Sequence, residues 1–128
     1  MNIAHAAIYT ANLELLRNFY VTYFNGKAGP MYENKSNGFR SYFIEFDSGA
    51  ALELMTRVSG LNRTKAAELD TGYSHLAFSV GDRAGVNSLT ERLRRDCFPV
   101  VSEPRTTGDG YYESCVLDPD GNRVEITC

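Results

Sequence analysis

The chain has 128 residues, of which 43% are hydrophobic and 23% are charged, and these proportions are ordinary for a globular domain with a buried core. A formal net charge of −3 argues against a nucleic acid or an anionic membrane as partner, because both attract basic surfaces. The sequence shows neither a signal peptide nor a membrane-spanning run, and its three cysteines lack metal-type spacing, so we expect a cytoplasmic protein with reduced thiols.

The first half of the chain predicts one strand, one helix and three further strands. Polar and apolar residues alternate in the strands, and apolar residues recur at helical spacing in the helix. Asn25 and Gly26 are typical of a helix end, and a turn at residues 47–49 joins the last two strands as a hairpin. The predicted strands cover residues 3–9, 27–33, 40–46 and 50–56.

The same order of elements is predicted again in the second half. Its helix begins after Asp82, which is a suitable N-cap. Asp118 and Gly121 bound a tight turn in the closing hairpin, because the Pro between them suits a type I turn and Gly accepts positive φ. The predicted strands cover residues 73–80, 98–102, 111–117 and 122–127, with a loop at 105–110.

Both helices have an apolar stripe that predicts their buried faces. The first helix is predicted to be capped by Thr10 or Asn12. Its stripe consists of Leu13, Leu16, Tyr20, Tyr23 and Phe24. The stripe of the second helix consists of Val86, Leu89, Leu93 and Cys97.

Repetition of the unit strand–helix–three strands indicates an internal duplication. We predict a single domain over residues 1–128, with module one at 1–56, a polar linker at 57–72 that contains a helical turn at 64–69, and module two at 73–128. The expected class is α+β, with two tandem βαβββ modules whose cupped mixed sheets carry their helices outside.

Four polar residues occupy matching positions in the two modules. Each module has one His in its first strand and one Glu in its last strand, and all four face away from the helices. These residues are His5, Glu53, His75 and Glu125. A single such residue is more often a solvated strand residue, but the coincidence of all four predicts a divalent metal site. A set of two His and two Glu with open positions for water or substrate suits Zn, Ni, Co, Fe or Mn.

The sequence resembles the vicinal oxygen chelate superfamily, which includes glyoxalase I, methylmalonyl-CoA epimerase, bleomycin-resistance proteins and extradiol dioxygenases. The resemblance covers nearly the whole chain. It is carried by His5 in Ile3-Ala4-His5-Ala6-Ala7-Ile8, by Leu52-Glu53-Leu54, by His75-Leu76-Ala77-Phe78 and by the ending Leu117-Asp118-Pro119-Asp120-Gly121-Asn122-Arg123-Val124-Glu125-Ile126. It implies a glyoxalase-like fold.

The four-ligand pattern is closest to that of glyoxalase I. The resemblance therefore implies a metal-dependent lyase or isomerase that transfers a proton on a small substrate with vicinal oxygens, such as the hemithioacetal of methylglyoxal and a thiol (lactoylglutathione lyase-like). It implies Zn or Ni as the most suitable metal, Glu125 as the base and Glu53 as a ligand that shares the catalytic work. A homodimer is also implied.

Tyr9 occupies the position where glyoxalase I commonly has a glutathione-binding Arg. Tyr9 and Tyr73 are predicted either to contact the substrate or to fill the cavity wall. Three alternatives remain open: another metal enzyme of this group, such as an epimerase or dioxygenase; a non-catalytic protein that binds a small molecule or drug; and a member with only a structural role.

Overall fold

The computed structural model describes residues 1–59, 61 and 72–128. The chain divides into two compact units, Met1–Asp70 and Thr71–Cys128. The helical turn predicted at 64–69 lies outside the described residues. No helix in the described parts of the chain is long and apolar enough to cross a membrane.

The first unit contains a mixed sheet and one helix. Strands β1 and β5 pair in parallel, and the other strand pairs are antiparallel, with the order β1-β5-β4-β2 and β3 beside β4. The elements are β1 (His5–Tyr9), α1 (Leu13–Phe24), β2 (Lys27–Ala28), β3 (Tyr32–Asn34), β4 (Phe39–Glu45) and β5 (Ala51–Thr56).

The second unit repeats this plan with four strands in the order β6-β9-β8-β7. Its first and last strands, β6 and β9, pair in parallel, as β1 and β5 do in the first unit. The elements are β6 (His75–Ser79), α2 (Arg83–Arg95), β7 (Val100–Thr106), β8 (Tyr112–Leu117) and β9 (Arg123–Thr127). The predicted α+β class with two mixed sheets is confirmed.

Side-chain caps fix the start of each helix. Asn12 accepts a hydrogen bond from the backbone N–H of Leu15, and Asp82 accepts one from that of Gly85. Asn25 ends α1 in the left-handed conformation, with φ of 54°. The helices therefore begin where the cap residues in the sequence predict.

Each helix packs on one face of its own sheet and forms a separate core there. Full burial stabilises each large apolar side chain by about 1.5–3 kcal/mol. The fully buried residues of the first core include Leu16, Tyr20, Ile44 and Leu54. Those of the second core include Val86, Leu93, Val116, Val124 and Ile126.

The third predicted element of module one, a strand at residues 27–33, is wrong as a single strand. Pro30 has no N–H to donate, and the segment divides into β2 and β3 around it. Gly29 still donates to the carbonyl of Phe43 on β4. The break shortens pairing at the edge of this sheet.

The predicted end of β7 at Ser102 is also wrong. β7 continues through Pro104 to Thr106, and its register with β8 shifts twice between Val100 and Arg105. β7 is an edge strand, so Pro104 can sit at an irregularity without removing a hydrogen bond from the interior of the sheet.

Three positions of the predicted helix stripes differ in the structure. In α1 the fully buried face includes Phe19, while Tyr23 is only partly buried. In α2 the buried residue is Thr90, whereas Leu89 is partly buried. Cys97 is not part of the stripe, because α2 ends at Arg95 and Cys97 is exposed with φ of 66°.

Candidate metal and substrate site

In the first unit, one His and one Glu meet on the face of the sheet that is opposite α1. Parallel pairing of β1 and β5 places His5 beside Ala51 and Ala7 beside Glu53. The two polar side chains are thus diagonal neighbours on one face. Nε2 of His5 lies 3.8 Å from Oε2 of Glu53, and the Glu side chain is only 17% exposed.

The second unit reproduces this arrangement at the same register. His75 pairs with Arg123 and Ala77 pairs with Glu125, so the His and Glu are again diagonal neighbours. Nε2 of His75 lies 3.6 Å from Oε2 of Glu125. The structure therefore brings the His and Glu of each unit together, and the predicted convergence of all four residues stays a prediction.

The donor types and their spacing fit one cation between the two side chains of a pair. Bonds of about 2.0–2.2 Å to His nitrogen and Glu oxygen place two such donors about 3–3.5 Å apart. The observed separations of 3.8 and 3.6 Å exceed this range by a few tenths of an ångström, which a small side-chain rotation closes. A pair alone is an incomplete donor set, and within the described residues no group of three or more His, Cys, Asp or Glu side chains could hold a metal ion.

Apolar and aromatic side chains surround the His–Glu pair of the first unit. Phe43 lies opposite Glu53 on β4, and its ring meets the ring of His5 edge-on, with 5.4 Å between centroids. Tyr9 ends β1 with about half of its surface exposed and lies beside Met55. Tyr73, the other tyrosine predicted to contact the substrate, belongs to the second unit. It precedes β6 and is fully exposed.

A cavity of about 440 Å³ adjoins the His–Glu pair of the second unit. Its polar wall comes from β9, from β8 and from the turn between β7 and β8. The lining residues are His75, Ala77, Thr107, Asp109, Tyr111, Glu113, Glu125 and Thr127. The space is sufficient for a small polar molecule next to His75 and Glu125.

Glu113 is the group in this cavity whose electrostatics differ most clearly from those of an exposed side chain. It lies on β8 and faces the same side as Glu125. Burial, followed by the charge of Glu125, raises the pKa of the Glu113 carboxyl above its usual value. Nη2 of Arg105 lies 3.8 Å from Glu113 Oε1 and opposes this shift.

Sequence reasoning missed Glu113, Asp109 and Phe43 as members of these sites. The alternation of β8 contained the signal for Glu113, because buried Ser114 and Val116 place Glu113 and Cys115 on the same face as Glu125. No comparable pattern marks Asp109, which lies in a turn. Phe43 could be assigned only once its register with Glu53 was known.

The paired His and Glu, repeated on two βαβββ units, define a class of protein. The Glyoxalase/Bleomycin resistance protein/Dioxygenase superfamily profile matches residues 2–126. The chain belongs to this superfamily. A search of curated proteins gives no significant match.

Solved structures of similar fold include several glyoxalases. The trypanothione-dependent glyoxalase I of Leishmania major is 22% identical with a TM-score of 0.75, and the match covers 98% of this chain and 85% of that one. A glyoxalase family protein from Enterococcus faecalis is 22% identical with a TM-score of 0.78, covering 99% and 97%. Glyoxalase I from Zea mays is 21% identical with a TM-score of 0.79, and the match covers 98% of this chain but only 44% of the maize chain. At these identities the likeness shows the fold.

Proposed function

We propose that this protein is a glyoxalase I-like, metal-dependent lyase that moves a proton on a small substrate with vicinal oxygens. The observation that carries the proposal is the repeated His–Glu pair, with Nε2 and Oε2 separated by 3.8 Å in one unit and 3.6 Å in the other. A purely structural role does not require the same residue types, the same register and similar spacing in both units. A shared role in holding one cation explains all three of these features.

The residues proposed to hold the metal are His5, Glu53, His75 and Glu125. Two imidazoles and two carboxylates suit Zn or Ni, and also accept Co, Fe or Mn. A bound divalent cation would supply Lewis-acid stabilisation of negative charge on the substrate oxygens next to the reacting carbon. Because each unit supplies one pair, a complete site requires both pairs, taken from one chain or from two chains of a homodimer.

Glu125 is proposed as the base. It lines the cavity of the second unit, so its carboxylate can reach a substrate there. It would take the proton from the thiol-bearing carbon of a hemithioacetal and return it to the neighbouring carbon, leaving a hydroxyacyl thioester. Glu53 has Phe43 beside it rather than a cavity wall of polar groups, which favours a role mainly as ligand.

The environment of the two pairs supports a small-molecule substrate. The first pair has aromatic neighbours, and the second has hydroxyl and carboxyl groups from Thr107, Tyr111 and Glu113. Such a mixture of apolar and polar contacts is typical of ligand sites. The three free cysteines are consistent with a reducing, cytoplasmic location, which is part of the proposal.

The test combines metal analysis with turnover. Protein purified without a metal-binding tag is analysed for bound metal and assayed with methylglyoxal and a panel of thiols that includes glutathione and trypanothione. Glu125→Gln should lower kcat by at least about 100-fold, the usual range for loss of a base, while keeping the metal. Glu33→Gln, an exposed residue on β3, is the matched control and should leave both unchanged.

Two results would contradict the proposal. Full activity of Glu125→Gln would remove this residue as the base. The alternative, a non-catalytic binding protein, would be indicated by two observations together. The wild-type protein would bind no metal, and the His5→Ala and His75→Ala variants would still bind a small molecule.

A further inference from the structure

Ser74 contacts the nitrogen of His75 that faces away from Glu125. The Ser74 Oγ lies 3.2 Å from Nδ1 of His75, whereas Nε2 of the same ring is the atom 3.6 Å from Glu125 Oε2. The two ring nitrogens therefore have different neighbours. Rotation of the imidazole away from Glu125 would break the contact with Ser74.

The equivalent position in the first unit has no such group. His5 is preceded by Ala4, which has no side-chain donor or acceptor. The ring of His5 instead meets the edge of Phe43. The two units thus orient their imidazoles by different means, one by a hydroxyl and one by an aromatic ring.

A hydroxyl next to Nδ1 suits a His that binds a cation through Nε2. Coordination uses the lone pair of Nε2, so the hydrogen of the neutral imidazole must be on Nδ1. Ser74 Oγ can accept that hydrogen, and second-shell acceptors of this kind fix the orientation of metal-binding His residues. The same hydroxyl can donate to Nδ1 when the hydrogen is on Nε2, so the contact persists in either form.

We propose that Ser74 is a positioning residue for His75. Its Oγ accepts a hydrogen bond from Nδ1–H of His75 and so keeps Nε2 directed toward a divalent cation beside Glu125. This inference rests on the metal site of the proposed function. It does not depend on the reaction that the site catalyses. It assigns to the second unit a contact that the first unit lacks.

Three variants test the inference with zinc as the probe. Ser74→Ala removes the hydroxyl, and Ser74→Thr retains it. Ser88→Ala is the matched control, because it removes an exposed serine hydroxyl that bonds the carbonyl of Gly85 on α2. Zinc affinity is measured by competition with a chelator, and thermal melts verify that each variant is folded.

We expect Ser74→Ala to weaken zinc binding about 10–100-fold, the range found for loss of a second-shell partner. Ser74→Thr should remain within a few-fold of wild type, and Ser88→Ala should not differ from it. In ¹H–¹⁵N spectra of the zinc-loaded protein, the Nδ1–H of His75 should be protected from solvent exchange in wild type and in Ser74→Thr. This protection should be lost in Ser74→Ala, while the ring signals of His5 stay unchanged.

Unchanged zinc affinity in Ser74→Ala would overturn the inference, as would a Ser74→Thr variant as weak as Ser74→Ala. Failure of the Ser74 positioning role can be distinguished from failure of the proposed lyase activity. Zinc binding with the expected Ser74 effects but no turnover would contradict the lyase activity alone. A wild-type protein that binds no zinc would overturn the positioning role together with the metal site.

Discussion

Asp118 and Asn122 are joined by three hydrogen bonds across the turn between β8 and β9. The backbone N–H and the side-chain amide of Asn122 each donate to the Asp118 carboxylate at 2.8 Å, and the Asp118 N–H donates to the Asn122 carbonyl at 3.0 Å. Asp118 is almost fully buried. Because β9 begins at Arg123, this turn fixes the register of the strand that carries Glu125.

Replacing Asp118 should therefore cost much more than replacing an ordinary turn residue. Asp118→Ala removes the charged acceptor of Asn122 N–H and of Asp120 N–H, and both of these hydrogen bonds are partly buried. We expect a loss of about 2–4 kcal/mol in the free energy of unfolding, measured by urea denaturation. Asp47→Ala, at the exposed turn of the equivalent hairpin, is the control and should cost less than about 0.5 kcal/mol. Equal costs for the two variants would contradict this role of the turn.

Local chemistry explains how much of this turn the sequence could predict. Asp-Pro-Asp-Gly indicates a tight turn by itself, and Gly121 has the expected positive φ of 82°. The burial of Asp118 could not be predicted, because turn chemistry alone does not show which distant residues cover the turn. One such non-local contact is the hydrogen bond that the neighbouring Leu117 N–H donates to the carbonyl of Pro99. Caps and strand alternation were likewise local signals, and the repeat marked His5, Glu53, His75 and Glu125 as equivalent positions.

A buried polar pair between α2 and β8 shows what the helical pattern could not reveal. Thr90 Oγ1 donates to the carbonyl of Val86, and it lies 2.6 Å from Ser114 Oγ. The apolar periodicity of the α2 sequence alone favours Leu89 as the buried residue. Thr90 is buried instead because Ser114 of a distant strand provides the partner that a buried hydroxyl requires.

Variants of this pair should therefore be non-additive. Thr90→Val removes the partner of Ser114 and should destabilise the fold by about 1–3 kcal/mol, because a buried hydroxyl is left unpaired. Ser114→Ala should cost less, since Thr90 keeps its bond to Val86. The double variant should be no less stable than Thr90→Val alone, as measured by thermal or urea denaturation. Strictly additive losses would show that the two hydroxyls do not interact.

The contact between Tyr42 and Glu14 should give a pH-dependent contribution at alkaline pH. Tyr42 Oη donates to Glu14 Oε1 at 2.8 Å, and this bond, followed by burial, raises the pKa of the Tyr42 phenol above 10.0. The contribution of this hydrogen bond to folding stability is fully present below the unfolded-state pKa of tyrosine, about 10. It is lost as the pH rises through the higher folded-state pKa. Tyr42→Phe should thus lower stability by about 0.5–1.5 kcal/mol at pH 7, and the difference should shrink above pH 10. Tyr32→Phe, at an exposed tyrosine, is the control; a pH-independent difference for Tyr42→Phe would refute this explanation.

Tyr9 provides a test of thiol preference that rests on the proposed function. Glyoxalase I commonly has an Arg four residues after its first His, where this chain has Tyr9 on the exposed face of β1. Tyr9→Arg should lower KM for the glutathione hemithioacetal by about 10–100-fold, because a charge-assisted bond to a carboxylate contributes about 1.5–3 kcal/mol. The kcat should change little, since Glu125 is untouched. Tyr9→Lys is the control for charge without bidentate geometry, and an equal KM in all three proteins would exclude glutathione binding at this position.

Mixing two inactive variants would reveal whether one chain or two complete the proposed metal site. His5→Ala and His75→Ala should each abolish stoichiometric metal binding alone, because each removes one imidazole from every site. If a site takes one pair from each chain of a homodimer, the mixed dimer of these variants contains one intact site with both imidazoles and one site with neither. Co-expressed and purified as the mixed dimer, it should then recover half of the wild-type metal and activity. If both pairs come from one chain, no recovery is expected, and Ser88→Ala mixed with wild type calibrates full binding.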